Sequence, residues 1–249
     1  MPRFFVNLPL VEASALVLPR ETARHAQVLR LQPGDEVDLF DGLGAQWRAK
    51  VLSMGGRSEV EVQLLERSWP LVELGFDVTL ALGMPANDRM DALVEKAAEL
   101  GAAGIQPLVC ERSVLRLDGE RAAKRVAHWA GVATAASEQS GRVRLPKVHG
   151  VMRLGDWLGG LEQPAEDGAA RFVLSFAADS RPLKEAFSGM QSLKQVTLLS
   201  GPEGGLSPAE EAMALGCGFA PVTLGPRVLR ADTAPLAALA VLGALTETL

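Results

Sequence analysis

Cysteine is scarce in this chain of 249 residues, with Cys110 and Cys217 the only two. Two thiols cannot staple a chain of this length or supply a four-ligand zinc site, so both are expected in the core. The three histidines, His25, His128 and His149, are too scattered for a metal cluster, and no His-Glu-x-x-His string occurs. No metal is therefore expected. Other motifs are missing too. There is no Gly-x-Gly-x-x-Gly after the first strand of the alternating region, no phosphate-binding Gly-x-x-x-x-Gly-Lys-Ser/Thr loop and no Gly-x-Ser-x-Gly. These absences leave a dinucleotide site or a classical NTPase unsupported and weaken a serine hydrolase. No apolar run approaches the roughly 18 residues of a membrane span. The opening apolar stretch is cut by Asn7 and Pro9, which argues against a signal peptide. A cytoplasmic protein without a membrane partner is expected.

Charge is what the chain distributes unevenly. Its 25 basic and 30 acidic residues leave a formal charge of -5. Yet residues 112–147 hold Arg112, Arg116, Arg121, Lys124, Arg125, Arg142, Arg144 and Lys147 against Asp118, Glu120 and Glu138. A basic window on an acidic protein points to a polyanion such as RNA. A solvated helix face followed by a loop would produce the same window.

Two regions differ in periodicity. Up to residue 70, short strands are predicted at Arg3–Val6, Glu36–Phe40, Gln46–Leu52 and Glu59–Leu65, with one short helix within Leu18–Leu29. Turn signals at Pro33-Gly34-Asp35, Asp41-Gly42 and Gly55-Gly56 separate them, as in a small β-barrel or sandwich. Ser68–Gly75 reads as a linker. Beyond it, strands at Phe76–Leu82, Ile105–Val109, Arg171–Phe176, Gln195–Leu199 and Phe219–Leu224 alternate with helices, and Leu145–Val148 reads as brief structure. The helices are predicted at Asp88–Leu100, Glu120–Ser137, Asp156–Leu161, Ser207–Leu215 and Pro235–Leu245, and Glu162–Gly168 reads as a polar loop. Such alternation predicts an α/β domain from Phe76 onward, with a parallel sheet whose chemistry lies at the C-terminal strand ends.

Three of those ends stand out. Ser200-Gly201-Pro202-Glu203-Gly204-Gly205 brings glycines to the end of a buried strand, where main chain can approach a ligand closely. Ser207 and Glu210 then form a capping box with Pro208 between them, so free helix amides face the same space. Leu224-Gly225-Pro226-Arg227-Val228-Leu229-Arg230 ends another strand, and Asp232 or Thr233 can cap the helix that follows. Met84–Met90 ends the first strand, with Asp88 and Asp91 as a weak capping pair. Arg89 there puts a cation at a helix N-terminus, which the helix dipole disfavours, so another contact should account for it.

These segments resemble a known family. The resemblance rests on Arg3-Phe4-Phe5-Val6, His25-x-x-x-Leu29-Arg30, Phe40-Asp41-Gly42, Asp88-Arg89-Met90 and Glu95-Lys96-Ala97-x-Glu99-Leu100-Gly101. It continues through Glu111-Arg112-Ser113, Trp129, Glu138-Gln139-Ser140-Gly141-Arg142, Gly201-Pro202-Glu203-Gly204-Gly205 and Leu224-Gly225-Pro226-Arg227-Val228-Leu229-Arg230. Together they look like the RsmE-type 16S ribosomal RNA uridine N3-methyltransferases of the SPOUT class. Two segments depart from the family's common pattern. Pro-Lys-Gly-Asp-Arg is here Pro85-Ala86-Asn87-Asp88-Arg89, and Leu-Arg-Thr-Glu-Thr-Ala is here Leu229-Arg230-Ala231-Asp232-Thr233-Ala234.

The resemblance implies a PUA-like β-barrel over 1–70 that grips RNA, and a SPOUT domain with a deep trefoil knot over 71–249. It implies a homodimer acting on 16S rRNA, within the 30S subunit, to make 3-methyluridine. The S-adenosylmethionine site falls on Leu199, Ser200, Gly201, Pro202, Glu203, Gly204 and Gly205 together with Leu224, Gly225, Arg227, Val228 and Leu229. Arg230 is the candidate for stabilising charge on the uracil, with Glu203, Asp232 and Glu138 as candidate bases. Arg3, Arg24, Arg30, Arg89, Arg112, Arg121, Lys124 and Arg142 are the candidate RNA contacts. Two alternatives stay open on the sequence: a SPOUT methyltransferase for another RNA nucleoside, and a non-catalytic RNA-binding module.

Overall fold

A computed structural model describes the chain except for residues 12–14, 57–58, 87–88, 163–167, 189, 191 and 247–249. Asp88 and its proposed pairing with Asp91 lie outside the described residues, as does most of the Glu162–Gly168 loop. Contacts divide the chain into one unit of Met1–Glu73 with Ser137–Leu145 and another of Leu74–Ala136 with Pro146–Leu249.

The first unit contains β1 (Arg3–Phe5), β2 (Leu16–Val17), α1 (Arg20–Val28), β3 (Glu36–Phe40), β4 (Gln46–Met54) and β5 (Val60–Ser68). They form a sheet in the order β1-β3-β4-β5-β2, antiparallel except for the parallel pair β1 and β3. Along β4, Trp47, Ala49 and Val51 are buried while Arg48 and Lys50 face outward, the period of two that a half-buried strand requires. The buried side joins Phe4, Val37, Leu39, Val60 and Val62, with Ala23 and Ala26 of α1 packed on it. Helix α1 starts at Arg20 because Pro19 occupies its N-cap. It ends with Leu31 N–H donating to the Ala26 carbonyl and Arg30 N–H to that of Gln27, with Arg30 at φ +58°. Glycine is the usual residue in that left-handed closing position.

The Glu73 carboxylate is one of the ties that hold Ser137–Leu145 in this unit. Glu73 Oε2 accepts from Arg142 Nε at 3.0 Å and Nη2 at 2.7 Å, and Oε1 accepts from the Val143 and Arg144 amides. The Arg142 side chain is only 4% exposed.

The second unit contains β6 (Asp77–Gly83), α2 (Arg89–Glu99), β7 (Gly104–Val109), α3 (Gly119–Ser140, as far as Ala136 in this unit), β8 (Lys147–Val148), β9 (Met152–Arg153) and α4 (Leu154–Gly159). It continues with β10 (Ala169–Leu174), β11 (Arg181–Pro182), α5 (Leu183–Phe187), β12 (Gln195–Ser200), α6 (Pro208–Gly216), β13 (Ala220–Thr223) and α7 (Thr233–Thr246). Every described strand pair is parallel, in the order β11-β13-β10-β12-β6-β7-β8, with β9 also on β7. Strand parity sorts the core. Val78, Leu80, Leu82, Phe172, Val196 and Leu198 face one cluster with α2 and α7, and Ala81, Val173 and Leu199 face another with α4 and α6. Strands buried on both sides explain the near-continuous apolar runs of β6 and β12.

The differences from the predicted elements are local. β2, β9 and β11 are two residues each, too short for periodicity to register, and exist because a partner strand is present. α4 begins two residues earlier than predicted, without a side-chain cap that the sequence could signal. Cys110 is buried as expected, whereas Cys217 is only half-buried. Among the described residues no helix is long and apolar enough to cross a membrane, and no cluster suits a metal ion.

Asp91 joins α2 to α3: its carboxylate lies 2.7 Å from His128 Nε2 and accepts from Trp129 Nε1 at 2.9 Å. Burial works against its charge, but the bonds from His128 and Trp129 outweigh that and hold the acid below its ordinary 3.8. A depressed carboxylate pKa contributes stability present above the unfolded value and lost as pH falls through the folded one. Acid-dependent melting should therefore be shallower below pH 3.8 in Asp91→Asn than in the parent, from a lower starting midpoint. Melting curves across that range measure it.

Candidate active site

The C-terminal strand ends Gly83, Leu174, Ser200 and Thr223 share one edge of the parallel sheet, since Ser200 is level with Leu82 and Leu174 with Val222. A cavity of about 660 Å³ opens there. Its walls are the loop after β12, the turn after β13, the segment after β10 and the start of α2.

The glycine loop is shaped by close main-chain approach. A Cβ on Gly201 would lie 2.8 Å from the Leu206 nitrogen, and one on Gly83 would lie 2.5 Å from both Pro202 N and Cδ. Ser207 then caps α6 as its sequence predicts: its Oγ accepts from Glu210 N–H while Glu210 Oε2 accepts from Ser207 N–H. Glu210 Oε1 also accepts from the Glu111 amide at 2.7 Å, and Arg112 Nη1 donates to the Gly204 and Leu206 carbonyls. Thus Glu111 and Arg112, distant in sequence, clamp the loop from behind. Cys110 beside them is buried, and burial, reinforced by Glu210 and opposed by Ser113, pushes its thiol up to about 12.

Of the predicted cofactor residues, Ser200 through Gly205, Leu224, Arg227, Val228 and Leu229 line the cavity. Leu199 does not, because its side chain is fully buried in the core. Gly225 is not on the wall either. At φ +109° it makes the turn, with Thr223 Oγ1 bonded to its amide and carbonyl.

Among the candidate chemical residues, Arg230 is on the wall and exposed, with no ion pair among the described residues. Glu203 is on the wall but committed: Oε1 accepts from Ala86 N–H at 2.9 Å and lies 3.8 Å from Arg89. That pair accounts for the cation at the N-terminus of α2. It also shows why Ala86 in place of the family's lysine leaves this contact intact, since the donor is main chain. Asp232 is off the wall, its Oδ1 accepting from the Thr233 hydroxyl. Glu138 belongs to the first unit, where it accepts from Phe5 N–H at 2.8 Å. Burial raises its acid above the ordinary value, against the opposing bond from Phe5 and the charges of His25 and Arg3.

The candidate RNA contacts divide in the same way. Arg24, Arg30 and Arg121 are exposed, as is Lys124, which pairs with Glu120 at 2.7 Å. Arg142 is corrected to an internal role by its buried pair with Glu73. Arg112 serves the glycine loop, and Arg89 pairs with Glu203. Arg3 is half-buried, donating to the Arg142 carbonyl and stacked on Phe40 at 5.1 Å. The sequence pattern missed Ser175, Phe176 and Glu211 on the cavity wall. Leu174-Ser175-Phe176 has no glycine or proline to mark it, and only the strand order brings β10 between β12 and β13.

The chain is similar to known proteins over nearly its whole length. An RNA methyltransferase domain model matches residues 72–243, and an RNA methyltransferase PUA domain model matches 18–65. Proteins named ribosomal RNA small subunit methyltransferase E are 33% identical in Synechocystis and 34% identical in Mycobacterium bovis. The alignments cover 96% of this chain and 76% of the first, and 98% and 92% for the second. The chain belongs to the ribosomal RNA small subunit methyltransferase E family. A family member from Neisseria gonorrhoeae, solved bound to S-adenosylmethionine, is 35% identical and superposes with a TM-score of 0.87 over 98% of both chains. Glu203 and Arg112 hold the glycine loop in place through their bonds to Ala86, Gly204 and Leu206.

Proposed function

We propose that this chain transfers the methyl group of S-adenosylmethionine to N3 of a uridine in the decoding region of 16S rRNA, giving 3-methyluridine. The observation that carries the proposal is the cavity bounded by Gly201–Gly205 and Leu224–Arg230. The cofactor fits it on physical grounds. A Cβ at Gly201 would collide with the loop's own main chain, so the loop keeps its tight form only with glycine there, and Gly204 and Gly205 on the cavity wall add no side chains to fill it. The volume suits a molecule of that size. S-adenosylmethionine supplies an electrophilic methyl group on a sulfonium. Main-chain groups of Gly201–Gly205 and Leu224–Leu229 would hold it, so that most of the rate gain comes from alignment with the uracil nitrogen.

Arg230 stabilises charge that develops on the uracil oxygens as the N3 proton passes to water, N3 takes the methyl group and S-adenosylhomocysteine is left. Glu203 positions the glycine loop against α2 through Ala86 and Arg89. Asp232 supports the start of α7. Arg230→Ala should lower the methylation rate about 100-fold, the usual effect of removing such a donor. A rate left intact would remove Arg230 from this role.

RNA is gripped by exposed cations, Arg24 and Arg30 in the PUA-like domain over 1–70 and Arg121 and Lys124 in the methyltransferase domain over 71–249. Binding should weaken as salt rises. Arg30 carries a further signature, since a side chain is held where glycine is favoured. Arg30→Gly is expected to stabilise the protein by about 0.5–1 kcal/mol while weakening RNA binding. Urea denaturation and filter binding on the same variant separate the two effects.

The proposal extends to a deep trefoil knot, a homodimer, a cytoplasmic setting and the 30S particle as substrate. The knot is supported by β12, which enters between β6 and β10, strands laid down before it, and by α7, which then returns against β6 and β12. The deciding experiment is methyl transfer from labelled S-adenosylmethionine to unmethylated 30S subunits, followed by nucleoside identification. Label in 3-methyluridine is the expected result. Label in another nucleoside would retain the methyltransferase and overturn the target. No transfer and no cofactor binding would leave an RNA-binding module.

A further inference from the structure

The acidic and basic groups of the cavity are unequally occupied. Glu203 is bonded to Ala86 and close to Arg89, and Glu210 behind the loop accepts from two main-chain amides. Glu211, the next residue on α6, is on the cavity wall and half-buried. Its Oε1 accepts a short hydrogen bond from the Ser175 hydroxyl, and Ser175 Oγ accepts in turn from Ala177 N–H at 2.9 Å. The carboxylate is therefore oriented by a serine that is itself fixed at the end of β10. Its second oxygen, Oε2, has no partner among the described residues, and no cation pairs with it there. A carboxylate held in place on a cavity wall with an unused oxygen is built to accept a hydrogen bond from a ligand.

Resting on the assignment of S-adenosylmethionine to this cavity, we propose that Glu211 binds the ribose hydroxyls of the cofactor and is positioned to do so by Ser175. The charge distribution separates this from the other donor the cofactor offers, its α-ammonium. Arg227 and Arg230, the wall's cations without an ion pair among the described residues, both stand on the turn between β13 and α7. With Arg230 given to the uracil, the cofactor's α-carboxylate belongs with Arg227, and its ammonium lies one carbon away from that carboxylate. Glu211 is anchored instead at the end of β10, one strand inward from β13, beside the uncharged residues Leu174 and Phe176. An uncharged wall with one fixed acceptor suits a nucleoside, whose ribose presents two neutral O–H donors. A carboxylate reading a ribose diol is a general solution to nucleoside recognition, used on other folds with a different loop.

The test uses the full chain and two ligands, S-adenosylmethionine and 5′-methylthioadenosine, which keeps the ribose and adenine but lacks the amino-acid end. Calorimetric titration of Glu211→Gln should show both affinities reduced by the same factor, about tenfold for one lost charge-assisted bond. The 2′,3′-dideoxy form of methylthioadenosine should bind parent and variant alike. Ser175→Ala, which leaves the carboxylate in place but unoriented, should lower both ribose-containing ligands by a smaller common factor. Glu211→Asp withdraws the carboxylate by one methylene while keeping its charge, and should repeat the common loss with an unchanged melting temperature. A loss confined to S-adenosylmethionine would place Glu211 on the ammonium and overturn the ribose assignment. Unchanged affinities for both ligands would overturn it as well. Failure of the parent itself to bind S-adenosylmethionine would instead defeat the cofactor assignment, and this inference with it.

Discussion

Gly83→Ala is expected to lower the stability of the protein by about 3 kcal/mol or more and to abolish measurable cofactor binding. Both contacts that a Cβ would make there are at 2.5 Å, one to the Pro202 nitrogen and one to its ring Cδ, with the Gly201 carbonyl carbon at 2.9 Å. None is the free end of a flexible side chain, so the strain passes into the main chain of the glycine loop. Since β6 is paired to β12 through Ser200, opposite Leu82, neither strand can shift alone to relieve it. Gly204 offers the contrast. Its Cβ would meet Arg112 Cβ at 3.0 Å and Cδ at 3.5 Å, contacts long enough to be relieved by a small displacement of Arg112. Gly204→Ala should therefore melt close to the parent but bind the cofactor more weakly, because Arg112 would be pushed from its bonds to the Gly204 and Leu206 carbonyls. Thermal denaturation and calorimetric titration of the two variants side by side distinguish a loop that cannot form from one that is poorly held. Equal melting temperatures would refute the main-chain collision at Gly83.

Arg142→Met is expected to cost about 3 kcal/mol in urea denaturation of the first unit. The pair it breaks is largely removed from water, with Arg142 4% and Glu73 16% exposed, so solvent screening does little to reduce the effect. Removing the guanidinium leaves Glu73 with the Val143 and Arg144 amides as acceptor-satisfying partners and its charge uncompensated. The second substitution Glu73→Gln in the Arg142→Met background should recover part of the loss, since an uncharged amide can still accept from those two N–H groups. Cofactor affinity, measured below the melting transition, should stay at the parent level, because neither residue is on the cavity wall. A single substitution without effect on the denaturation midpoint would show that the pair contributes nothing to stability. A drop in cofactor affinity would show that it acts beyond its own unit.

Much of the architecture was legible before any coordinates. Glu36–Phe40 forms as predicted, and the long helices α2, α3 and α7 begin and end within three residues of their expected bounds. Their periodicities run over ten or more residues, so many side chains report the same face. The capping box at Ser207 and Glu210 was equally plain, because it depends on residues only three apart. The two-residue strands were not, since each is defined by hydrogen bonds to a distant partner. β9, for example, exists through Leu108 and Val109 of β7.

The division is sharpest within the site. Sequence alone determined the local chemistry: glycines where main chain must approach, a capped helix behind them, a surplus of cations over 112–147, and no motif for metal, nucleotide triphosphate or acyl transfer. Each of those properties depends on residue type and short spacing. Tertiary structure decided which charged groups are available. Arg142 is consumed by Glu73, Glu203 by Ala86 and Arg89, and Arg112 by the glycine loop, through contacts spanning 69, 117 and 92 residues of chain. Glu211 is left with an unused oxygen beside Ser175, 36 residues away. A side chain's charge is a property of its sequence position, but whether that charge is spent is settled by whatever the fold places within hydrogen-bond reach.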